Sequence, residues 1–518
     1  MQASHRVAMN TGILYARMAI TVLISLYTTR VILNALGAED FGIFNVVGGA
    51  ITMLMLLNTG MAAATQRFMS YAQGAGSEEK LVKIFNVSIF LHAAVALVAF
   101  VALQAVGRIL FLRVFVISAS RIDAAWLIYQ FAAIGTLVSI LSVPYDAVLN
   151  ARENMLFFAV LGLIESAAKL VIAICIVKIK GDHLVFYGLW MAVLSALLVI
   201  ARAWYCHWRY SECRFLAARC FDTKLLREMS AFAGWSFLGA SSSLVAHYSQ
   251  GLVLNTYFGT IVNAAQGVAN QVSGQLGALA STMLRALNPI LAKSEGAGDR
   301  GKMIEASILG SKLAFFLIVP LMVPVIIEMP YIFRLWLVVP PKYAVIFCRL
   351  LLLRNLIDQL FVTLPSAISA VGNIKRFQAA SVVLNFAPLL GAITLFHMGY
   401  SAYWIYVSYI IYAVASSLLL LYFVSKDCGM SASIYTWRVV VRSSSSCILS
   451  YAMGQAIHSL LQEGFTRLVL VVLSSLLVFV VSAVIIGVTR EERSLLWNST
   501  VKLIGRVRLI LAVNSEGS

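Results

Sequence analysis

Apolar stretches of about twenty residues follow one another along nearly the whole chain, separated by short polar or charged segments. Each is long enough to cross the roughly 30 Å hydrocarbon layer of a bilayer. The pattern predicts spans at 10–34, 42–66, 84–107, 122–145, 155–177 and 183–205. After a basic linker it predicts 230–256, 261–288, 304–327, 344–371, 377–397 and 401–424, then 438–460 and 466–488. Helices are expected throughout, because backbone polar groups in lipid must be paired within their own segment. The expected fold is all-α and integral to the membrane, with about fourteen transmembrane helices.

An internal repeat orders these helices. Gly74-Ala75-Gly76 matches Gly296-Ala297-Gly298, and Lys80 matches Lys302, at an offset of 222. Val31-Ile32-Leu33-Asn34 parallels Leu252-Val253-Leu254-Asn255, and Pro144 parallels Pro365, at an offset of 221. The matches imply two six-helix lobes in parallel repeat plus two extra C-terminal helices, with a substrate site between the lobes. The expected domains are an N-terminal lobe 1–206, a cytoplasmic basic linker 207–229, a C-terminal lobe 230–425, the added helices 426–488 and a cytoplasmic tail 489–518. The first span lacks a small-residue cleavage site and is expected to be retained.

Several spans carry polar stripes. Asn45, Thr52, Thr59 and Gln66 recur every seven residues on span 2, and Asn10, Arg17, Thr21 and Thr28 share a face of span 1. Span 8 carries Asn263, Gln266, Asn270, Ser273, Gly277, Ser281, Arg285 and Asn288. Single hydroxyls commonly serve as glue between helices. A row of amides with an arginine is costly against lipid, so these stripes are expected to border a wet cavity between spans 1, 2, 7 and 8. Tyr15, Tyr27, Tyr248 and Tyr257 lie near it, where they suit either sugar stacking or anchoring at the membrane interface.

Six cations are expected inside spans: Arg17, Arg30, Lys169, Arg285, Lys312 and Arg354. Glu165 with Lys169, and Arg354 with Asp358, stand four apart and are read as ion pairs or coupling candidates. Arg30 and Lys312 lie near span ends and are expected to snorkel outward. Arg17 and Arg285 have no acid near them in sequence and are candidates for anion binding, since a guanidinium fork fits two phosphate oxygens. His247 reads as a packing histidine or a proton relay.

Composition agrees with a membrane protein. The 518 residues are 61% hydrophobic and only 12% charged, with 39 Lys and Arg against 22 Asp and Glu. The basic residues are scattered between spans, without a nucleic-acid motif, so no nucleic-acid partner is expected. With both termini in the cytoplasm, inner segments hold about 24 of the Lys and Arg and outer loops about 9, as the positive-inside rule requires. Arg202, Arg209, Arg214, Arg219, Lys224 and Arg227 fall to the central linker in that count. The tail from Thr489 to Val513 mixes Arg490, Arg493, Lys502, Arg506 and Arg508 with apolar residues, suiting an amphipathic helix on anionic lipid. Cys206, Cys213 and Cys220 stand seven apart, which is not the short-loop spacing of a zinc site, and no metal is expected. No P-loop, HExxH or GxSxG pattern occurs, so neither an enzyme nor a bound cofactor is expected, and Na⁺ or H⁺ coupling stays open.

The segments Leu26–Gly49, LYTTRVILNALGAEDFGIFNVVGG, and Asn58–Gly74, NTGMAAATQRFMSYAQG, resemble the Wzx-like O-antigen and polysaccharide flippases. These belong to the multidrug/oligosaccharidyl-lipid/polysaccharide (MOP) exporter superfamily. The resemblance implies two lobes in a V, alternating access, a bacterial inner-membrane location and an undecaprenyl-diphosphate-linked oligosaccharide as substrate. It also implies that cations on the first helix hold the diphosphate, and Arg17 and Arg30 fit that role. Glycan polymerases or ligases are the implied protein partners. Two other readings compete: an ion-coupled drug or organic-cation antiporter of the same superfamily, and a non-transporting scaffold for glycan assembly. The antiporter needs free carboxylates in the membrane, and the sequence places only Glu165 and Asp358 deep.

Overall fold

The computed structural model describes residues 3–54, 56–113, 115, 117–215, 222–337, 340–489 and 492–493. The regular elements among them are all helical. The first lobe comprises α1 (Ala3–Leu54), α2 (Leu56–Gly74), α3 (Glu78–Arg113), α4 (Ile122–Ala151), α5 (Met155–Ile176) and α6 (His183–Arg209). The second comprises α7 (Thr223–Gly296), α8 (Arg300–Leu337), α9 (Ala344–Gln359), α10 (Leu364–Val371), α11 (Lys375–His397) and α12 (Trp404–Cys428). A short α13 (Ala432–Tyr435), α14 (Arg442–Leu460) and α15 (Phe465–Ser482) complete the described chain. Nine helical segments among the described residues are long and apolar enough to cross a membrane. In α2, α7, α9 and α14, amides, serines and arginines dilute the apolar signal. The protein is a multi-pass membrane protein, and side chains such as Leu112, Val383 and Leu477 stand 82%, 75% and 66% exposed on its outer surface.

The repeat is written into the backbone. α1 bends at Gly37 with φ 78° and ψ 170°, and α7 bends at Gly259 with φ 79° and ψ −174°. The two positions are 222 residues apart and share a conformation that is strained for any residue with a Cβ. The Gly-Ala-Gly motifs meet each other. A Cβ on Gly74 would lie 1.8 Å from the Lys293 carbonyl oxygen, and one on Gly296 would lie 1.9 Å from that of Tyr71. Tyr71 and Lys293 are themselves 222 apart, so the contact is reciprocal and marks a pseudo-two-fold axis between the lobes.

Two further contacts latch the lobes at this end. The Arg67 guanidinium donates to the carbonyls of Ser369, Ala370 and Val371 at 3.0–3.3 Å, capping the C-terminus of α10. Lys293 donates to Glu153, in the turn after α4, at 3.1 Å. Further in, the Tyr15 hydroxyl donates to the Leu279 carbonyl at 2.8 Å and joins the two lobes there. The cross-lobe hydrogen bonds between described residues all lie in this half of the molecule.

Span 10, expected to be continuous, is broken at 360–363 into α9 and α10. Pro365 starts α10, whereas Pro144 lies inside the unbroken α4, so the two prolines act differently. Tyr435 donates to the Leu360 carbonyl at 2.7 Å, and turn hydrogen bonds from the Leu360, Phe361 and Leu364 amides satisfy the backbone at the break, while the Thr363 hydroxyl ties it to the Ser307 carbonyl of α8 at 2.7 Å.

Buried charges fasten α14 and α15 to α8. Near one end, Glu328 accepts from Arg467 and pairs with His458, both at 2.8 Å. Near the other, Lys312 donates to Glu492 at 2.7 Å, and Arg438 joins Glu492 at 3.2 Å and Glu305 at 2.6 Å. Lys312 does not snorkel as its place near a span end suggests. It is 2% exposed, because Glu492 supplies the counter-charge that lets an ammonium stay inside. Thr489 and Glu492 exchange side-chain-to-backbone hydrogen bonds, a capping box. The rest of the expected amphipathic tail lies outside the described residues.

Candidate functional site

Arg17 of α1 and Arg285 of α7 come from different lobes and converge on one ring. Their guanidinium carbons sit 4.7 and 5.9 Å from the centroid of Phe158 on α5. Gly162, one turn beyond Phe158, leaves the room for Arg17: a Cβ there would stand 2.3 Å from the Arg17 Nε. Neither arginine has an ion-pair partner among the described residues. Arg17 lies in the electrostatic field of Arg285, Glu165, Arg202 and Asp146.

Sequence reasoning misses two members of that group. Asp146 stands one residue past the predicted end of span 4, but α4 continues to Ala151. Arg202 lies inside the predicted span 183–205 but is counted with the basic linker, and α6 carries it seven residues inside its C-terminus. They face each other with Arg202 Nε 3.5 Å from Asp146 Oδ1. Ser142 bridges them, accepting from Arg202 at 3.2 Å and standing 3.3 Å from Asp146 Oδ2. The i,i+4 spacing of Ser142 and Asp146 is the signal that sequence offers. Asp146 and Arg202 lie about 8–10 Å along their helices from the latched end, so the cluster forms a charged floor just inside it. Glu165 and Lys169 pair at 2.7 Å on α5, as expected, and remain 30% and 38% exposed.

The second lobe holds a different cluster. Arg354 and Asp358 pair at 3.4 Å on α9, as expected. The Arg354 guanidinium lies over Tyr409 at 4.8 Å and Tyr412 at 5.6 Å. Tyr409 donates to the Ala246 carbonyl, Tyr412 donates to Asn385, and Asn385 donates to Ser242 and Ser243, so the aromatic cover is itself tied down. His247 is exposed beside Tyr248, within the field of Arg354.

The other expected site residues divide. Arg30 is exposed but stands about 20 Å up α1 from Arg17 and well round the helix, so it does not join the floor. Gln266 is 4% exposed and packs in the lobe, and does not line a cavity. Its neighbours on the inner side of α7 exclude water, which the stripe alone does not reveal. Asn270 and Gln66 are half-buried, Ser281 is exposed, and Ser273 accepts from Asn355 at 2.8 Å. Thr28 is spent on its own helix, donating to the Ile24 carbonyl. The side chains of Asn10, Asn45, Thr52, Thr59 and Asn263 lie outside the described residues, as does Cys220. Cys206 and Cys213 are buried, Cys206 against the Tyr145 carbonyl.

Residues 7–295 match the family of polysaccharide biosynthesis proteins. No curated protein matches the chain in sequence. Solved structures share its fold. A MATE protein in its bent conformation is 14% identical, with 83% of this chain and 98% of that one covered and a TM-score of 0.70. The outward-facing form of a multidrug resistance MATE family transporter of the MOP superfamily is 14% identical, covering 84% and 96%, with a TM-score of 0.69. A MOP superfamily transporter from Pyrococcus furiosus, distinguished by the reverse polarity of its binding pocket, is 14% identical over 84% and 96% at 0.67. The chain is thus a member of the polysaccharide biosynthesis protein family, built on the two-lobed fold of MOP superfamily transporters.

Proposed function

We propose that this protein is a flippase carrying an undecaprenyl-diphosphate-linked oligosaccharide, a surface-polysaccharide unit, across the bacterial inner membrane by alternating access. The latched end faces the cytoplasm, with both termini, and a chamber opens between the lobes on the other side. The observation that carries the reading is the meeting of Arg17 and Arg285, one from each lobe, on Phe158 without a carboxylate partner among the described residues. Two guanidinium forks offer the donors a diphosphate needs, and the lipid tail stays in the bilayer while the head group crosses. Reciprocal contacts at Gly74 and Gly296 supply the symmetric pivot that rocking of two like lobes requires.

The organic-cation antiporter is less well supported. Each deep carboxylate of the two clusters already has a cation beside it: Asp146 has Arg202, Glu165 has Lys169 and Asp358 has Arg354. A strain lacking the gene, complemented with the Arg17→Ala, Arg285→Ala double variant, tests the proposal. Loss of surface glycan with normal membrane levels of the variant is expected. Normal glycan from the double variant, or drug sensitivity with intact glycan in the deletion strain, contradicts it.

A further inference from the structure

We infer that Asp146 sets the charge threshold of the chamber floor, admitting head groups with two negative charges and turning away the singly charged phosphodiesters of ordinary membrane lipids. The inference rests on reading the floor as a phosphate site and goes on to specificity within it.

The floor holds three guanidinium groups, Arg17, Arg285 and Arg202, and Asp146 lies in the field of Arg202, Arg285 and Glu165. Glu165 is committed to Lys169 at 2.7 Å, which leaves Asp146 as the one uncommitted anion of the group among the described residues. Its hold is loose. At 3.5 Å the contact with Arg202 falls short of a hydrogen bond, and both Asp146 Oδ1 and Arg202 Nε are buried without a hydrogen-bond partner. A buried carboxylate oxygen and a buried guanidinium N–H left facing each other form a contact that a better acceptor can displace.

Three cations and one resident anion leave a surplus of two positive charges. A diphosphate diester, with two charges, matches the surplus and presents enough oxygens to draw Arg202 away from Asp146 as well. A phosphodiester with one charge leaves the surplus half met and competes for Arg202 against a carboxylate already in place. In a bilayer the substrate is vastly outnumbered by phospholipid, so rejection matters as much as attraction. A floor with arginines alone would fill with phospholipid. Asp146 supplies the repulsive half of the selectivity, and Ser142 keeps it aligned with Arg202.

The test is displacement from purified protein in nanodiscs of zwitterionic lipid. A fluorescent polyprenyl-diphosphoryl-N-acetylglucosamine is the bound probe, and its unlabelled form or phosphatidylglycerol is the competitor. In the wild type, phosphatidylglycerol should need at least about tenfold more to displace the probe than the unlabelled diphosphate lipid does. Asp146→Asn should reduce that ratio to about threefold or less by strengthening phosphatidylglycerol, and Asp146→Glu should retain it. Ser142→Ala, which leaves every charge in place, should lower the ratio part of the way. An unchanged ratio in Asp146→Asn, or weakened binding of both lipids alike, overturns the inference. If the probe fails to bind wild-type protein at all, the phosphate site falls and the threshold with it.

Discussion

The two lobes descend from one repeat, yet their charged clusters have opposite characters. On the first lobe's side, three guanidinium groups, one of them Arg285 reaching over from the second lobe, crowd one loosely held carboxylate, and two of the three meet on a ring supplied by α5. In the second, Arg354 has its carboxylate one turn away and two tyrosines over its face, each fixed by its own hydrogen bond. The first cluster has unspent donors and surplus charge. The second is neutral apart from His247; its Arg354 Nε, like Arg202 Nε, is buried without a hydrogen-bond partner, so the clusters differ in surplus charge and not in donor satisfaction. A cluster whose charges balance is structural, and one with a surplus of a single sign is the candidate for a counter-ion.

The largest expected effect separates the clusters by function. On the proposed reading, removing Arg17 and Arg285 together should cut glycan export by about 100-fold or more, the size expected for two charge-assisted contacts to phosphate, with melting temperature little changed. Glycan display per membrane copy of the protein measures it. Arg354→Ala should show the reverse: a stability loss of about 2 kcal/mol from the desolvated cation–π contact, and export per folded copy down by less than about threefold. Equal export losses in the two variants would erase the distinction.

Next in size comes the pivot that the lobes share. Gly74→Ala and Gly296→Ala each drive a Cβ into a backbone carbonyl, and each should destabilise the protein by about 1–3 kcal/mol, as for other overpacking substitutions. Because the contacts are reciprocal, the two losses in thermal unfolding should agree. Markedly unequal losses would show that the lobes do not share the axis.

A smaller effect is expected at the far end of the first lobe. There Arg121 donates to Asp40 at 2.8 Å and to Asp182 at 2.6 Å, tying α1 to the starts of α4 and α6. The Arg121 guanidinium holds the Asp182 carboxyl below its ordinary value. A depressed carboxylate contributes stability that is fully present above its unfolded value of about 3.9 and is lost as pH falls through the lower folded value. Arg121→Ala should weaken that acid-side dependence in the thermal unfolding profile, by no more than about 1 kcal/mol because the pair is partly exposed and the Leu184 and Val185 amides still donate to Asp182.

Much of this is legible in the chain. Apolar spacing locates the helices, and Gly-Ala-Gly at an offset of 222 locates the pivot. The matching kinks at Gly37 and Gly259 are harder to see, because the register slips by one residue between them and the Asn34 and Asn255 pair. Asp146 is hidden by a boundary, and Arg202 by being counted with the basic linker although it lies in span 183–205. A helix that continues past its apolar stretch keeps its polar residues inside the bundle, and hydropathy alone ends the helix too soon. Gln266 and Lys312 are misplaced for the opposite reason. A polar residue in a span reads as cavity-lining or snorkelling until a distant partner or tight neighbours are known, and the partner of Lys312 lies 180 residues away.

The most direct test is accessibility of the chamber wall. Cysteines placed at Asn270 and Ser281 in a variant lacking the native thiols would be probed with a membrane-impermeant reagent in intact cells and in inverted vesicles. Labelling that slows when the diphosphate-linked glycan lipid is supplied, and that shifts from one side to the other as the latches at Arg67 and Lys293 are removed, is the expected result. Uniform protection of both positions from both sides, with or without the lipid, would contradict a water-filled path between the lobes.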